Sequence, residues 1–326
     1  MQYPARLTKL WGAIVIASGA CIAAPSQAGT FPDRPVTIIV AAAAGGSSDI
    51  TARALAAGLQ QRWNKAVVVE NRAGANGLIA AQTLMKAQPD GYTLMLGSIG
   101  QMMINPIEHG PRFEPSKAYT MIGQVSKTYM VMVTAPSSPY GNLREYVEYG
   151  RTHPGLGTFS SSGVGSLMHI AGEVVKHQSG VNLTHVPYKG EAPALVDLMA
   201  GRVAAGFVVA GTAVPLVHTG KLKALAISDS RRSTELPNVP TAVEQGYSVD
   251  MPVWNGIVGP SGMNTQLVEQ INHDMNQVLK SQAFEAQMQK IGISAAPTTP
   301  HEFAGYVNDQ SRLWKEVIKT SGITFH

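Results

Sequence analysis

The chain has 326 residues with a formal charge of +4; only 14% of its side chains are charged and 44% are hydrophobic. That balance excludes a disordered chain and offers no basic stripe for nucleic acid, while the length suits about two domains with sizeable cores. The single cysteine, Cys21, excludes an internal disulfide and a cysteine-based metal site.

The N-terminus carries Arg6 and Lys9, an apolar stretch from Leu10 to Ala24, and then Ser26-Gln27-Ala28. This is the pattern of a secretory signal peptide over residues 1–28. The apolar stretch is shorter than the roughly 20 residues of a membrane span. The expected product starts at Gly29 in the periplasm, with a charge of +2 once Arg6 and Lys9 are removed. Ser18-Gly19-Ala20-Cys21 also reads as a lipoprotein site with Cys21 lipidated, but Ser18 stands where a leucine is expected. Cleavage after Ala28 is the favoured reading.

From there strand-like and helix-like segments alternate. Val36 to Val40 is a β-branched strand, and a helix follows from Asp49 to about Trp63. Ala66 to Glu70 and Tyr92 to Leu96 read as strands, with a helix from Gly77 to Lys86 between them. Tyr129 to Ala135 is a strand closed by Pro136, and Asn142 caps a helix to Arg151. A short strand from Gly157 to Ser160 precedes a helix from Ser166 to His177. Val181 to Tyr188, Ala204 to Val209 and Lys223 to Ser228 are further strands, with a helix over Pro193 to Ala200. Val253 to Pro260 reads as a buried strand carrying a core Trp254, and helices over Gln266 to Gln289 and His301 to Lys319 end the chain. The alternation predicts an α/β fold with parallel sheets.

Two segments repeat one device: a strand, a loop of small residues and a helix. The first is Val36 to Ala56, with Gly45, Gly46, Ser47 and Ser48 in its loop; the second is Gly157 to Val175, with Ser161, Ser162, Gly163, Gly165 and Ser166. Ligands bind outside the carboxyl ends of parallel strands, and a helix N-terminus offers free N–H groups and a partial positive charge. Two such loops facing each other would form an anion-binding cleft; taken singly, each is a tight turn. Ser47 and Ser48 can donate to a carboxylate without repelling it. Asp49 reads first as a cap for its own helix and second as a ligand contact. His169, Glu173 and His177 share a helix face, but the two histidines stand too far apart for one ion, so no metal or cofactor is expected. His169 is either a cleft residue or a structural one bonded to Glu173 or to backbone. The nucleophile elbow, the phosphate loop and the full dinucleotide fingerprint are all missing, so an enzyme is not expected.

Six stretches together resemble the substrate-binding proteins of tripartite tricarboxylate transporters, the Bug or TctC-like receptors. They are "FPDRPVTIIV" with "GGSSDITARALA", "VVVENRAGANGLIAAQTLMKAQPDGYTLMLGS", "GTFSSSGVGSLMHIAGE", "HVPYKGEAPALVDLMAGRV", "GKLKALAISDSRRSTELPNVPTAVEQGY" and "VWNGIVGPSG". The resemblance implies an α/β, two-lobed, Venus-flytrap receptor of the periplasmic-binding-protein type, with a ligand cleft between its lobes. It implies a small carboxylate ligand, no catalysis and membrane transporter subunits as partners. It places the ligand against Ala43 to Asp49, Ser161 to Ser166 and Ser98. The expected lobes are 29–131 with 252–326, and 132–251, in a monomer, with chain crossings near Tyr129 to Pro136 and between Lys223 and Gly256. Two departures from the family pattern are Ala42, where an aromatic commonly stands, and Val208-Val209, where a polar pair is common. A smaller, drier wall at these positions favours an aromatic mono- or dicarboxylate. A sensing module for a membrane kinase, or a periplasmic hydrolase, is the alternative function.

Overall fold

The computed structural model describes residues 31–42, 44–74 and 77–321. The leader over 1–28, Cys21 and Ala43 lie outside the described residues. The first sheet begins with β1 (Val36–Val40), α1 (Ser47–Trp63), β2 (Val67–Asn71), α2 (Leu78–Met85) and β3 (Thr93–Ser98). A π-helical turn (Gly100–Ile104) leads into α3 (Asn105–His109), the short α4 (Pro115–Ala118) and the long strand β4 (Tyr119–Thr128). The second sheet is built from β5 (Met130–Thr134), α5 (Leu143–Thr152), β6 (Thr158–Ser161), α6 (Leu167–Ser179), β7 (Thr184–Pro187), α7 (Glu191–Met199), β8 (Ala205–Val209), α8 (Ala210–His218) and β9 (Lys223–Ile227). The chain then closes with β10 (Val253–Pro260), α9 (Thr265–Leu279), α10 (Gln282–Gln289), β11 (Ser294–Ala295) and α11 (Pro300–Ser321).

The strand orders are β11-β4-β10-β3-β1-β2 and β7-β6-β8-β5-β9. Each sheet has three parallel strands, β3-β1-β2 in one and β7-β6-β8 in the other. Neither sheet is wholly parallel, contrary to the expectation from the alternating pattern. β10 runs antiparallel to both β3 and β4, and β5 runs antiparallel to both β8 and β9. β4 and β5, joined through Tyr129 alone, belong to different sheets, so each sheet takes in a strand that arrives from the other: β5 enters the second sheet between β8 and β9, and β10 enters the first between β3 and β4. The chain thus leaves the first sheet at Tyr129 and returns between β9 and β10. Ser228 fastens the two passages, since its Oγ accepts the Met130 N–H at 2.8 Å and its N–H donates to the Met130 carbonyl at 2.9 Å.

Local chemistry explains most boundaries. Asn142 caps α5 by accepting the Glu145 N–H at 3.0 Å, while Glu145 Oε2 accepts the Gly141 N–H, a reciprocal capping pair. Ser281 breaks the single terminal helix expected over Gln266 to Gln289 into α9 and α10, because its Oγ accepts the Phe284 N–H and starts a new helix. β4 and α8 are elements that periodicity did not reveal. The interior of α8 contains Pro215, which disguises it, and β4 mixes buried Gln124, Ser126 and Thr128 among its apolar residues.

The core of the first sheet forms where α1, α9 and α10 cover one face, around Leu55, Leu59, Met275 and Phe284. α11 packs along β4 and also reaches α6. Phe303 of α11 lies over Gly256 in β10; a Cβ added there would stand 2.1 Å from the ring. Gly256→Ala should therefore overpack this contact and destabilise the protein by about 1–3 kcal/mol, read from urea denaturation against wild type.

Candidate functional site

The carboxyl ends of β1 and β3 and the loop after β6 meet at one cavity of about 290 Å³. The first sheet supplies Ala41, Ser47 and Ser48 after β1, and Ser98, Ile99, Gly100, Gln101 and Ile104 after β3. The second supplies Ser162, Gly165, Ser166, Leu167 and Met168 around the start of α6, with Met130 and Val209 from β5 and β8. Val253, Trp254 and Asn255, at the start of β10, close the base. α1 and α6 both begin at this wall, so two helix N-termini from different sheets face one space. Among the described residues, no Lys, Arg, His, Asp or Glu lines the cavity. Any positive potential here comes from backbone N–H groups and helix ends.

Neutral side chains are tied into fixed positions around that space. Ser98 donates to Gln101 Oε1 through both its N–H at 2.8 Å and its Oγ at 3.0 Å. Ser48 Oγ donates to Asn255 Oδ1 at 3.3 Å, and Asn255 Nδ2 donates to the buried Ser126 Oγ at 3.3 Å. Ser166 is the cap of α6, and its Oγ accepts the His169 N–H at 3.2 Å. The cap of α1 is Gly46, which has no side chain to cover the first N–H groups of the helix.

Asp49 holds the first loop from behind. Its Oδ2 accepts the Gly45 N–H at 2.9 Å and Arg53 Nε at 3.0 Å, and its Oδ1 accepts Asn71 Nδ2 at 2.9 Å. Asn71 Nδ2 also donates to the Ala42 carbonyl at 3.1 Å. Gly45 takes a φ of +83°, which an L side chain resists, so this anchor fits only a glycine loop. Burial alone would raise the Asp49 carboxyl; hydrogen bonds from Arg53, Gly45 and Asn71 outweigh it and hold the group below its ordinary value of 3.8. Asp49 is thus not the cap of its helix: Gly46 is, and Asp49, at the third helical position, accepts from Gly45 in the loop ahead of the helix rather than from an N–H group of the helix itself.

Of the residues that the sequence points to, Ser47, Ser48, Ser98, Ser162, Gly165 and Ser166 line the cavity. Gly45, Gly46, Asp49, Ser161 and Gly163 shape its loops without lining it, and Ala43 lies outside the described residues. The wall position expected at Ala42 shifts by one residue, and of the pair Val208-Val209 only the second reaches the wall. Ala42 packs toward α1, and Ala41 faces the cavity in its place. Val208 packs with Val131 and Leu195 beneath α7 and α8, and Val209 faces the cavity, because successive strand residues point to opposite faces. His169 is 7% exposed and sits behind the loop rather than in the cleft. Trp254 is fully buried as a core residue and is also part of the wall. The turn after β3, with Gln101, and the strand β10 were missed as site elements; only the polar Asn255 within an apolar strand signals them in sequence.

Three comparisons bear on this arrangement. Residues 51–323 match the model of the tripartite tricarboxylate transporter family receptor. The chain is 34% identical to Protein BugT of Bordetella pertussis over 325 residues, covering 97% of this chain and 98% of that one. Among solved structures it is similar to R. palustris Rpa4515 with adipate, with a TM-score of 0.82, 29% identity, and 90% and 99% of the two chains covered. It is likewise similar to MatC from Rhodopseudomonas palustris with bound malate, at a TM-score of 0.79 and 28% identity, with 88% and 100% covered.

Asp49→Ala should leave three donors without their acceptor and cost roughly 1–3 kcal/mol in urea denaturation at neutral pH. The Asp49 contribution is present above the unfolded value of 3.8 and is lost as pH falls through the lower folded value. The gap between wild type and Asp49→Ala should accordingly narrow once the pH drops below that range.

Proposed function

Since this chain belongs to the tripartite tricarboxylate transporter receptor family, we propose that it captures a small carboxylate in the periplasm and delivers it to membrane transporter subunits. The family is one of receptors rather than enzymes. The observation that carries the proposal is the meeting of two helix N-termini at one cavity without a charged side chain. Such a site has donors for an anion, and none of its side chains is a cation that would also attract a phosphate. Adipate and malate in the similar structures fit the same ligand class. No helix among the described residues is long and apolar enough to cross a membrane.

The lobes of this reading follow the sheets. Residues up to 128 with those from 253 form the first lobe, 130–227 form the second, and Tyr129 with the 228–252 segment is the hinge. Ser47, Ser48, Ser98, Ser162, Gly165 and Ser166 are the proposed anion contacts. Closure brings the second-lobe group against the first.

The ligand body is proposed to be apolar, an aromatic mono- or dicarboxylate. Away from the serines, Gln101 and Asn255, the lining includes six apolar side chains with no strong hydrogen-bonding group: Met130, Val209, Leu167, Met168, Ile104 and Val253. An aliphatic hydroxyl or extra carboxylate set against them loses water without replacement, at about 1–3 kcal/mol. An aromatic face gains about 25 cal/mol for each Å² it buries.

The test is a thermal-shift and calorimetric panel of benzoate, phthalate, adipate, malate and citrate. A binding acid at 100 times its Kd should stabilise the protein by about 2.7 kcal/mol. No shift with any acid overturns the receptor reading. Tighter binding of malate or citrate than of both aromatic acids overturns the aromatic preference and leaves the receptor reading standing. Gly165→Val should abolish binding of whichever acid is held, because Gly165 lines the cavity at a φ of +75°.

A further inference from the structure

Two imidazoles stack behind the loop that brings Ser162, Gly165 and Ser166 to the cavity. The ring centroids of His169 and His185 are 3.9 Å apart, and Phe159 stacks on His185 at 5.0 Å. His169 Nδ1 accepts the Gly165 N–H at 3.1 Å. A nitrogen that accepts carries no proton, so the hydrogen of His169 is on Nε2, 3.8 Å from Glu173 Oε1. Ser161 Oγ accepts the Gly163 N–H at 3.1 Å and donates to the Gly163 carbonyl at 3.0 Å. With its one proton committed there, Ser161 Oγ is left to accept from His185 Nε2, 2.7 Å away. The Gly165 N–H is thus fastened to one ring directly, and Gly163 to the other through Ser161.

We propose that this uncharged histidine pair is the positioning device of the second-lobe lip: it sets the backbone from Gly163 to Ser166 for holding a carboxylate, and the hold weakens when either ring takes up a proton. The ligand part of this inference rests on the receptor reading above; the positioning part does not.

Protonated His169 has a hydrogen on Nδ1, where the Gly165 N–H already points, so donor meets donor and the bond is lost. Protonated His185 places a charge against the His169 ring. The charged and titratable groups around the pair are Glu173 and Lys176 of α6, each ring for the other, and none from β6, which contributes Phe159 and Ser161. Burial lowers both histidines; it opposes Glu173 at His169, and at His185, with His169 and Lys176, it brings the value down to about 4. Both rings are therefore neutral at neutral pH. Their neutral form supports the lip above the lowered folded values, and acid removes that support. A positive charge behind an anion site would by itself strengthen capture, so the sign of the pH effect separates geometry from charge.

The experiment compares wild type, His169→Asn and His169→Leu. Asparagine offers an acceptor oxygen near the position of Nδ1 and does not titrate. Benzoate, phthalate, adipate, malate and citrate are titrated by calorimetry from about pH 7.5 to about pH 4.5, a range that runs from above the ordinary histidine value down toward the lowered value of about 4 at His185. The expected result is an affinity loss of about tenfold in His169→Leu and under about threefold in His169→Asn. Wild-type affinity should fall with acid, and His169→Asn should lack that fall. Equal losses in the two variants, or a wild-type affinity that stays level or rises in acid, overturn the proposal. The Gly165 amide resonance supplies a reading that needs no ligand. It should follow a titration below pH 6.5 in wild type and stay still in His169→Asn. A still resonance in wild type overturns the positioning role even where an acid binds. If no acid binds at all, the receptor reading fails and the amide titration still decides the lip.

Discussion

An anion held without a cation needs backbone N–H groups that are fixed before it arrives. Water solvates a carboxylate well, and loose loops would spend the interaction on their own ordering. The arrangement of this chain follows from that constraint. Its cavity has no charged side chain, so the loops ahead of α1 and α6 must be held by residues placed behind them. In the first lobe Asp49, Arg53 and Asn71 do this, and in the second Ser161, His169 and His185. None of these six lines the cavity. They decide where the N–H groups point.

The sheet topology serves the same end. Parallel strands gather the small-residue loops at their carboxyl ends, and one such loop in each sheet faces the cavity. The antiparallel strand β10 then runs between β3 and β4, and carries Asn255 to the base of the site. There Asn255 links Ser48 of the first loop to Ser126 inside the sheet. β10 is also where the chain re-enters the first sheet from the second. The residues at the cavity base therefore sit next to the passage between the two sheets.

Much of this was legible in the sequence, because the repeated strand, Gly/Ser loop and helix is a local signal. It points to Ser47, Ser48, Ser162, Gly165 and Ser166, all of which line the cavity. Alternation was harder to read through a loop. Val208 and Val209 differ only in which side of β8 they face, and Ala41 and Ala42 lie beyond the strand end where the period is no longer fixed. A register error of one residue moves a wall position into the core. β10 is legible as a strand but not as part of the site, because its place there comes from pairing between residues some 150 positions apart, such as Asn255 with Ser98. Sequence order carries no trace of that. The mixed sheets are not legible because alternation does not say which strand belongs to which sheet, and β5 and β10 each enter a sheet from the other.

The two lips solve one problem with different chemistry, and their surroundings explain why. Behind the first loop, Arg53 lies half in solvent, with 52% of its side chain exposed, so a carboxylate anchor can be paired without burying two full charges. Behind the second, the space is enclosed by Phe159, α6 and β7, and a buried ion pair there would lose more hydration than it recovered. Neutral imidazoles can accept from and donate to backbone and hydroxyl while carrying no charge. The first lip is thus locked by charge and the second by neutrality. The electrostatic consequence is asymmetric: the first anchor needs its acid ionised, the second needs its bases unprotonated. Both conditions hold together above the lowered histidine values, so a receptor built this way has its two lips set at the same time at neutral pH.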